Sequence, residues 1–251
     1  MKKNVSIIIP AYNEENSISL VLDRINSLPM AKDWDVIVVD DGSSDKTGEV
    51  AKSKGARVFR HPYNIGNGAS ICTGINNATG NIVIMMDGDG QHPPELISQL
   101  LACMNEYDMV VGARTTDSNV SRFRSFGNFV LNRVACYLSG REIKDLTSGF
   151  RAVKLECLKK FMHLFPQRYS YPTTITLAMM LSGYFVKYVA MDEICKRQQG
   201  RSNLRPFQDG LRFIVIIFRM IILFNPIKIF LPFFVFFFLT GLSMGVYDVV
   251  T

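Results

Sequence analysis

Cysteine, histidine and tryptophan are scarce in this 251-residue chain, and each scarcity removes a class of function. The five cysteines (Cys72, Cys103, Cys136, Cys157 and Cys195) are odd in number, scattered and never in a C-x-x-C pair. That pattern excludes a disulfide framework and a zinc ribbon, and fits reduced thiols in a cytosolic setting. The three histidines, His61, His92 and His163, share no metal-ligand spacing. His92 reads as a support for neighbouring acids, the other two as surface or core residues. No internal repeat or low-complexity tract is present. A signal sequence is not expected either, because the apolar run over 5–10 behind Lys2 and Lys3 is too brief for one. The last thing missing is charge, which is absent from Ile229 to Tyr247.

That uncharged stretch, as a helix, spans roughly 28 Å, close to the hydrocarbon thickness of a bilayer. Before it, residues 207–224 are apolar nearly all round, with Arg212 and Arg219 one heptad apart, as in an amphipathic helix lying in the interface. The formal charge of +6 is concentrated late, in Lys196, Arg197, Arg201, Arg205, Arg212, Arg219 and Lys228. Asp248 alone carries charge beyond the apolar stretch. This asymmetry puts the globular part on the cytoplasmic side, and sets the basic residues against lipid headgroups rather than nucleic acid. Three regions are therefore expected: a globular domain over 1–206, an interfacial helix over 207–226 and a membrane-spanning segment over 227–251.

Up to about residue 111 the chain alternates short β-branched runs with helical spacing. Strands are expected over 5–10, 36–40, 57–59, 82–86 and 109–111, and helices over 14–28, 47–54, 69–78 and 95–104. Such alternation gives an α/β fold with a mainly parallel sheet sandwiched by helices. A basic helix over 121–138, a polar loop over 145–151, a helix over 172–181 and a strand over 184–191 follow. Ligands of such sheets gather at the carboxyl ends of the strands, which is where the unusual polar residues fall.

The densest group is M-D-G-D-G-Q-H-P-P-E, residues 86–95, directly after an apolar strand. Residues two apart in an extended chain point the same way, so Asp87 and Asp89 can converge on one hard cation, Mg²⁺ or Mn²⁺. Gln91 can add a third oxygen, and Gly88 lets the backbone approach a ligand closely. An acidic turn is the plainer reading of D-x-D alone. The segment V-V-D-D-G-S-S-D, residues 38–45, again ends a strand and opens a helix. Turn and cap chemistry accounts for Gly42, Ser44 and Asp45, whereas Asp40 and Asp41 exceed it and can accept hydrogen bonds from a base or ribose. In P-A-Y-N-E-E, residues 10–15, Tyr12 can pack on a base and Glu14 can hold a ribose hydroxyl. The loop N-I-G-N-G-A, residues 64–69, reads mainly as tight strand–helix packing.

In this order, the four motifs closely resemble the family 2 glycosyltransferases of GT-A (Rossmann-like) fold. The later D-L-T-S-G-F-R-A, residues 145–152, is similar to the dolichol-phosphate mannose synthase and polyprenyl-phosphate glycosyltransferase branch. The resemblance implies that Pro10, Tyr12, Glu14, Val39, Asp41, Asp87, Gly88 and Arg114 line a nucleotide-sugar site. It also implies that Asp89 and Gln91 hold the metal, with Asp87 close by.

On the acceptor side, Arg122, Arg124 and Arg133 lie on or near one expected helix and can converge on a phosphate, or form a solvated basic face. Ser125, Ser148 and Arg151 are further candidates, and the resemblance favours Asp145 as the charge orienting those arginines. Residues 196–204 resemble the family's juxtamembrane R-x-x-G-x-S loop, which brings in Arg197, Arg201 and Ser202; Asn203 stands where a lysine is common. A polyprenyl (dolichol-type) phosphate is already anionic, so attack on the anomeric carbon needs no dedicated base. The competing reading is transfer to a sugar hydroxyl. Processive enzymes of that kind carry Q-x-x-R-W, whereas the one tryptophan here, Trp34, lies far upstream.

Overall fold

The structure, a computed structural model, describes residues 4–114, 133, 135–137, 139–167, 170–191 and 206–250. The strands are β1 (Val5–Ala11), β2 (Asp35–Asp40), β3 (Arg57–Arg60), β4 (Ile82–Met85), β5 (Met109–Arg114), β6 (Arg151–Lys154) and β7 (Val186–Met191). The α-helices are α1 (Glu15–Asn26), α2 (Thr47–Ser53), α3 (Asn67–Asn77), α4 (Ile97–Cys103), α5 (Leu155–Phe161), α6 (Tyr171–Leu181), α7 (Pro206–Phe224) and α8 (Ile227–Val250).

The strands form one sheet in the order β3-β2-β1-β4-β6-β5-β7. Every pairing is parallel except those of β6, which runs antiparallel to both β4 and β5. Two apolar layers cover the faces, one built on Ile7, Ile9, Ile18 and Leu22, the other on Ile8, Ile71, Met109 and Ile175. Alternate residues of β1 thus feed opposite layers, as the period of two requires. Helix α1 turns Ile18, Val21, Leu22 and Ile25 inward at helical spacing. The mainly parallel α/β expectation holds. Strand β6 and helix α5 have no counterpart in it, since R-A-V-K is only four residues long and is buried without alternation.

Of the helix expected over 121–138, residues 133 and 135–137 are described and helical. Helix α7 packs on α6 through Ile217, Met220 and Ile221, leaving Val215, Phe218, Ile222 and Leu223 exposed. In α8 Ile229 is buried, and Phe230, Leu231 and Phe233 through Leu239 are all exposed. Its residues Ile227–Asp248 are long and apolar enough to cross a membrane.

The loops leaving β1, β2 and β4 come together at one edge of the sheet. Gly42 holds φ +73°, and a Cβ there would lie 2.5 Å from the Tyr63 carbonyl carbon. Gly42→Ala therefore combines left-handed strain with a backbone clash, and is expected to destabilise the chain by roughly 2–4 kcal/mol. Chemical denaturation of the detergent-solubilised protein, read by circular dichroism, checks this.

Candidate active site

The first wall of the site is the meeting of the β1 and β2 loops. Asn13 sits at φ +54°, a conformation that Asn tolerates better than most residues. Its backbone N–H donates to Ser43 Oγ at 3.0 Å, and its Oδ1 accepts from Ser44 N–H at 2.8 Å. Glu14 N–H donates to Thr47 Oγ1 at 2.8 Å, and the Glu14 carboxylate accepts from Ser17 Oγ at 2.6 Å. Pro10 is half-buried and Val39 fully buried beneath this junction, whereas Tyr12 stands 45% exposed above it.

The paired acids at the end of β2, Asp40 and Asp41, are both buried, with different partners. Asp40 Oδ1 accepts from Ser43 N–H at 2.8 Å, and its Oδ2 lies 3.5 Å from Arg60 Nε. One Asp40 oxygen is thus taken up by its own turn, and Oδ2 is buried without a hydrogen-bond partner among the described residues. Asp41 accepts from His61 Nδ1 at 2.7 Å, Ile65 N–H at 3.0 Å and Gly66 N–H at 2.8 Å. Its carboxylate fastens the N-I-G-N-G loop to β2, a tether that turn chemistry alone does not signal.

The second wall is the loop after β4. At Gly88 a Cβ would lie 3.3 Å from the Pro10 carbonyl oxygen, so this loop runs close against the end of β1. Gln91 N–H donates to Asp89 Oδ1 at 3.0 Å. Asp87 N–H donates to His92 Nδ1 at 3.1 Å, and the His92 ring stacks on Phe150 with centroids 5.4 Å apart. Glu95 is drawn away to Arg24 in a two-bond fork. Among the described residues no three His, Cys, Asp or Glu side chains form a metal-binding group. The set available is two carboxylates and one amide, all hard oxygen donors on one loop. That set suits Mg²⁺ or Mn²⁺ completing its shell with phosphate oxygens, and does not suit a closed protein cage.

The third wall joins β5 to the segment before β6. Arg114 Nε and Nη2 donate to the two Asp145 oxygens at 2.8 and 3.0 Å, and Nη2 also reaches Thr147 Oγ1. Asp145 accepts further from the N–H groups of Thr147 and Ser148 at 3.0 and 3.1 Å. Burial alone would raise its pKa; the Arg114 fork and these N–H groups outweigh it and hold the carboxyl below its usual range. Asp145 thus orients Arg114; of the three arginines of the expected acceptor helix only Arg133 is among the described residues, and it makes no ion pair with Asp145.

Arg151 departs further from expectation. It is fully buried, with Nη1 donating to the Pro172 carbonyl at 3.0 Å and Thr176 Oγ1 at 3.1 Å, and Nη2 to the Ser148 carbonyl. A guanidinium held on carbonyls inside the core is not available to an acceptor phosphate. Ser148 keeps a buried Oγ without a partner.

Asp87, Gln91, His92, Arg114, Thr147 and Ser148 line one cavity of about 80 Å³, with Gly149 and Met191. Thr147 and Gly149 belong to the 145–152 motif but are not candidates within it, and Met191 belongs to no motif of the sequence. Arg133 is exposed and borders a different, open groove of about 760 Å³ with Tyr137, Arg141 and Phe218. Arg122, Arg124, Ser125, Arg197, Arg201 and Ser202 lie outside the described residues.

Residues 6–161 match the family described as Glycosyl transferase family 2. The chain is 33% identical over 203 residues to an uncharacterized protein of Methanocaldococcus jannaschii, covering 77% of this chain and 82% of that one. It is 31% identical over 169 residues to an undecaprenyl-phosphate 4-deoxy-4-formamido-L-arabinose transferase of Pectobacterium carotovorum, covering 64% and 52%. It is 32% identical over 167 residues to a dolichol-phosphate mannosyltransferase of Pyrococcus furiosus, covering 62% and 47%. The chain thus spans about half the length of these two transferases. In fold it resembles glucosyl-3-phosphoglycerate synthase of Mycobacterium tuberculosis, crystallised with Mn²⁺ and UDP-glucose (TM-score 0.71, 21% identity, 87% of this chain and 79% of that one).

The Arg114–Asp145 pair has a pH signature. The folded-state pKa of Asp145 is depressed, so its contribution is present above the unfolded value of about 3.9 and is lost as pH falls through the folded one. Asp145→Asn should cost about 2–3 kcal/mol at pH 7, toward the low end for a buried pair because Arg114 is partly exposed. The gap between wild type and variant should narrow from pH 6 to pH 3, which denaturation curves across that range measure.

Proposed function

The chain belongs to glycosyl transferase family 2, and from that premise we propose that it moves a hexose from a GDP- or UDP-sugar to a polyprenyl or dolichyl phosphate, with inversion and with a divalent metal. The observation that carries the reading is the shared cavity. In it, Asp87 and Gln91 of an acidic loop suited to Mg²⁺ or Mn²⁺ share the lining with Arg114, which Asp145 locks from behind, at the strand edge where such sheets take nucleotides. Two of its similar proteins are named for polyprenyl- or dolichol-phosphate transfer, and these names support the acceptor. The exposed apolar α8 supports attachment to the bilayer that would supply it. The proposed division is a catalytic domain over 1–206, an interfacial helix over 207–226 and a spanning segment over 227–251. The basic residues before α8 support a cytoplasmic catalytic face.

Each wall then has a task. Asp89 and Gln91 hold the metal, with Asp87 beside them; when bound, it neutralises charge on the departing nucleoside diphosphate. Tyr12 offers a face for the base, and Asp41 sets the position of the base-side loop by its bonds to Ile65 and Gly66. Arg114, held in one orientation by Asp145, presents fixed positive charge where negative charge builds on the leaving group. The acceptor phosphate is anionic at neutral pH, so no side chain has to remove a proton from the nucleophile.

The test is transfer from a panel of radiolabelled nucleotide-sugars to a defined polyprenyl phosphate by the purified chain in detergent with Mn²⁺, read as organic-extractable label. Asp89→Ala is expected to lower turnover by roughly 10³-fold or more even at saturating metal. Wild-type-like turnover by that variant would overturn the assignment.

A further inference from the structure

His92 is the one member of the cavity whose hydrogen-bonding state the backbone dictates. Asp87 N–H can only donate, and it points at His92 Nδ1 at 3.1 Å. Nδ1 must therefore carry the lone pair, and the ring proton sits on Nε2. The approach of Nδ1 to Asp87 Oδ2, at 3.9 Å, is too long to compete as a hydrogen bond. The ring cannot turn freely, because it stacks on the fully buried Phe150 at 5.4 Å with an 18° interplanar angle. No group among the described residues pairs with Nε2.

The other donors of the cavity are differently placed. Arg114 is held through Nε and Nη2 by Asp145 and Thr147, and Thr147 Oγ1 already contacts both of them. The His92 Nε2–H and the buried, unpartnered Ser148 Oγ lie on walls shared with the Asp87 carboxylate. A phosphate oxygen accepts but cannot donate, so it would satisfy the ring N–H alone. A hydroxyl satisfies both sides at once, accepting from Nε2–H and donating to the carboxylate.

Resting on the transfer reading above, we propose that His92 is a specificity-determining contact that donates its Nε2–H to a hydroxyl of the donor hexose, with Ser148 beside it. Burying that hydroxyl against fixed partners makes its loss expensive, so the contact selects among sugars.

Two substitutions separate this role from mere support of the loop. In His92→Asn the side-chain oxygen can replace Nδ1 for Asp87 N–H, but the amide ends short of the cavity. In His92→Gln the amide N–H reaches the Nε2 position, and Asp87 N–H loses its acceptor. Steady-state rates for the full chain in detergent are expected to show kcat/KM for the donor falling about ten-fold in His92→Asn and less in His92→Gln. Calorimetric binding of nucleoside diphosphate with Mn²⁺ should be unchanged in His92→Asn. The ten-fold penalty should vanish with the one deoxy-sugar donor that lacks the contacted hydroxyl. The reverse order, with His92→Asn near wild type, would overturn the proposal and leave the transfer reading standing. If the wild type hydrolyses the donor but does not glycosylate polyprenyl phosphate, the same ranking scored on hydrolysis keeps the His92 role and removes the acceptor. Absence of any donor turnover removes both.

Discussion

The site depends on one ion pair. Arg114 ends β5 and Asp145 lies in the segment leading to β6, so their two-bond fork ties the carboxyl end of one strand to the approach of its antiparallel neighbour. A carboxylate this buried is tolerable because it is fully satisfied, by a guanidinium and by the N–H groups of Thr147 and Ser148. The same bonds fix the backbone at 147–149, which forms one wall of the cavity. At Gly149 a Cβ would come within 3.0 Å of Asp87 Oδ2. The loop that Asp145 organises therefore bears directly on the acid of the opposite wall.

Arg151 carries the same constraint inward. Burial pushes its pKa down, and among the described residues no carboxylate lies within ion-pair distance of it. Burial also raises the phenols of Tyr171 and Tyr188 and keeps them neutral. The guanidinium is held instead by the carbonyls of Ser148 and Pro172 and by Thr176. An apolar side chain of that length would leave the Ser148 carbonyl without its donor, whereas Pro172 would keep that of Thr176. The charge thus serves to hold the cavity loop and the first turn of α6 in one fixed relation.

Much of this was legible in the sequence, and the boundary falls where physical reasoning predicts. The first 111 residues alternate β-branched strands with amphipathic helices, and their motifs end strands, so both the sheet and the Asp87–Gln91 loop could be read from spacing. Strand β6 could not, because a four-residue strand buried on both faces shows no period, and its arginine reads as a phosphate-binding candidate. Arg151 misled because composition reports that a charge is present, not whether the fold turns it toward solvent or onto buried carbonyls. His92 was undervalued for the opposite reason. Its role follows from which ring nitrogen faces a backbone N–H, and only coordinates supply that.

The apolar tail and the cavity are usually treated as anchor and machine, but here they are joined by packing. Helix α7 buries Ile217, Met220 and Ile221 against the layer containing Ile175 and Met179 of α6. Helix α6 in turn presents the Pro172 carbonyl and Thr176 hydroxyl to Arg151, whose other arm holds Ser148 at the cavity. Close-packed interiors transmit position with little slack. An α7 lying in the interface would therefore fix not only the attachment of the domain but the height and tilt of its cavity above the bilayer. For a lipid-borne phosphate, whose headgroup cannot travel far from the surface, that geometry is a requirement of the chemistry and not a convenience of location.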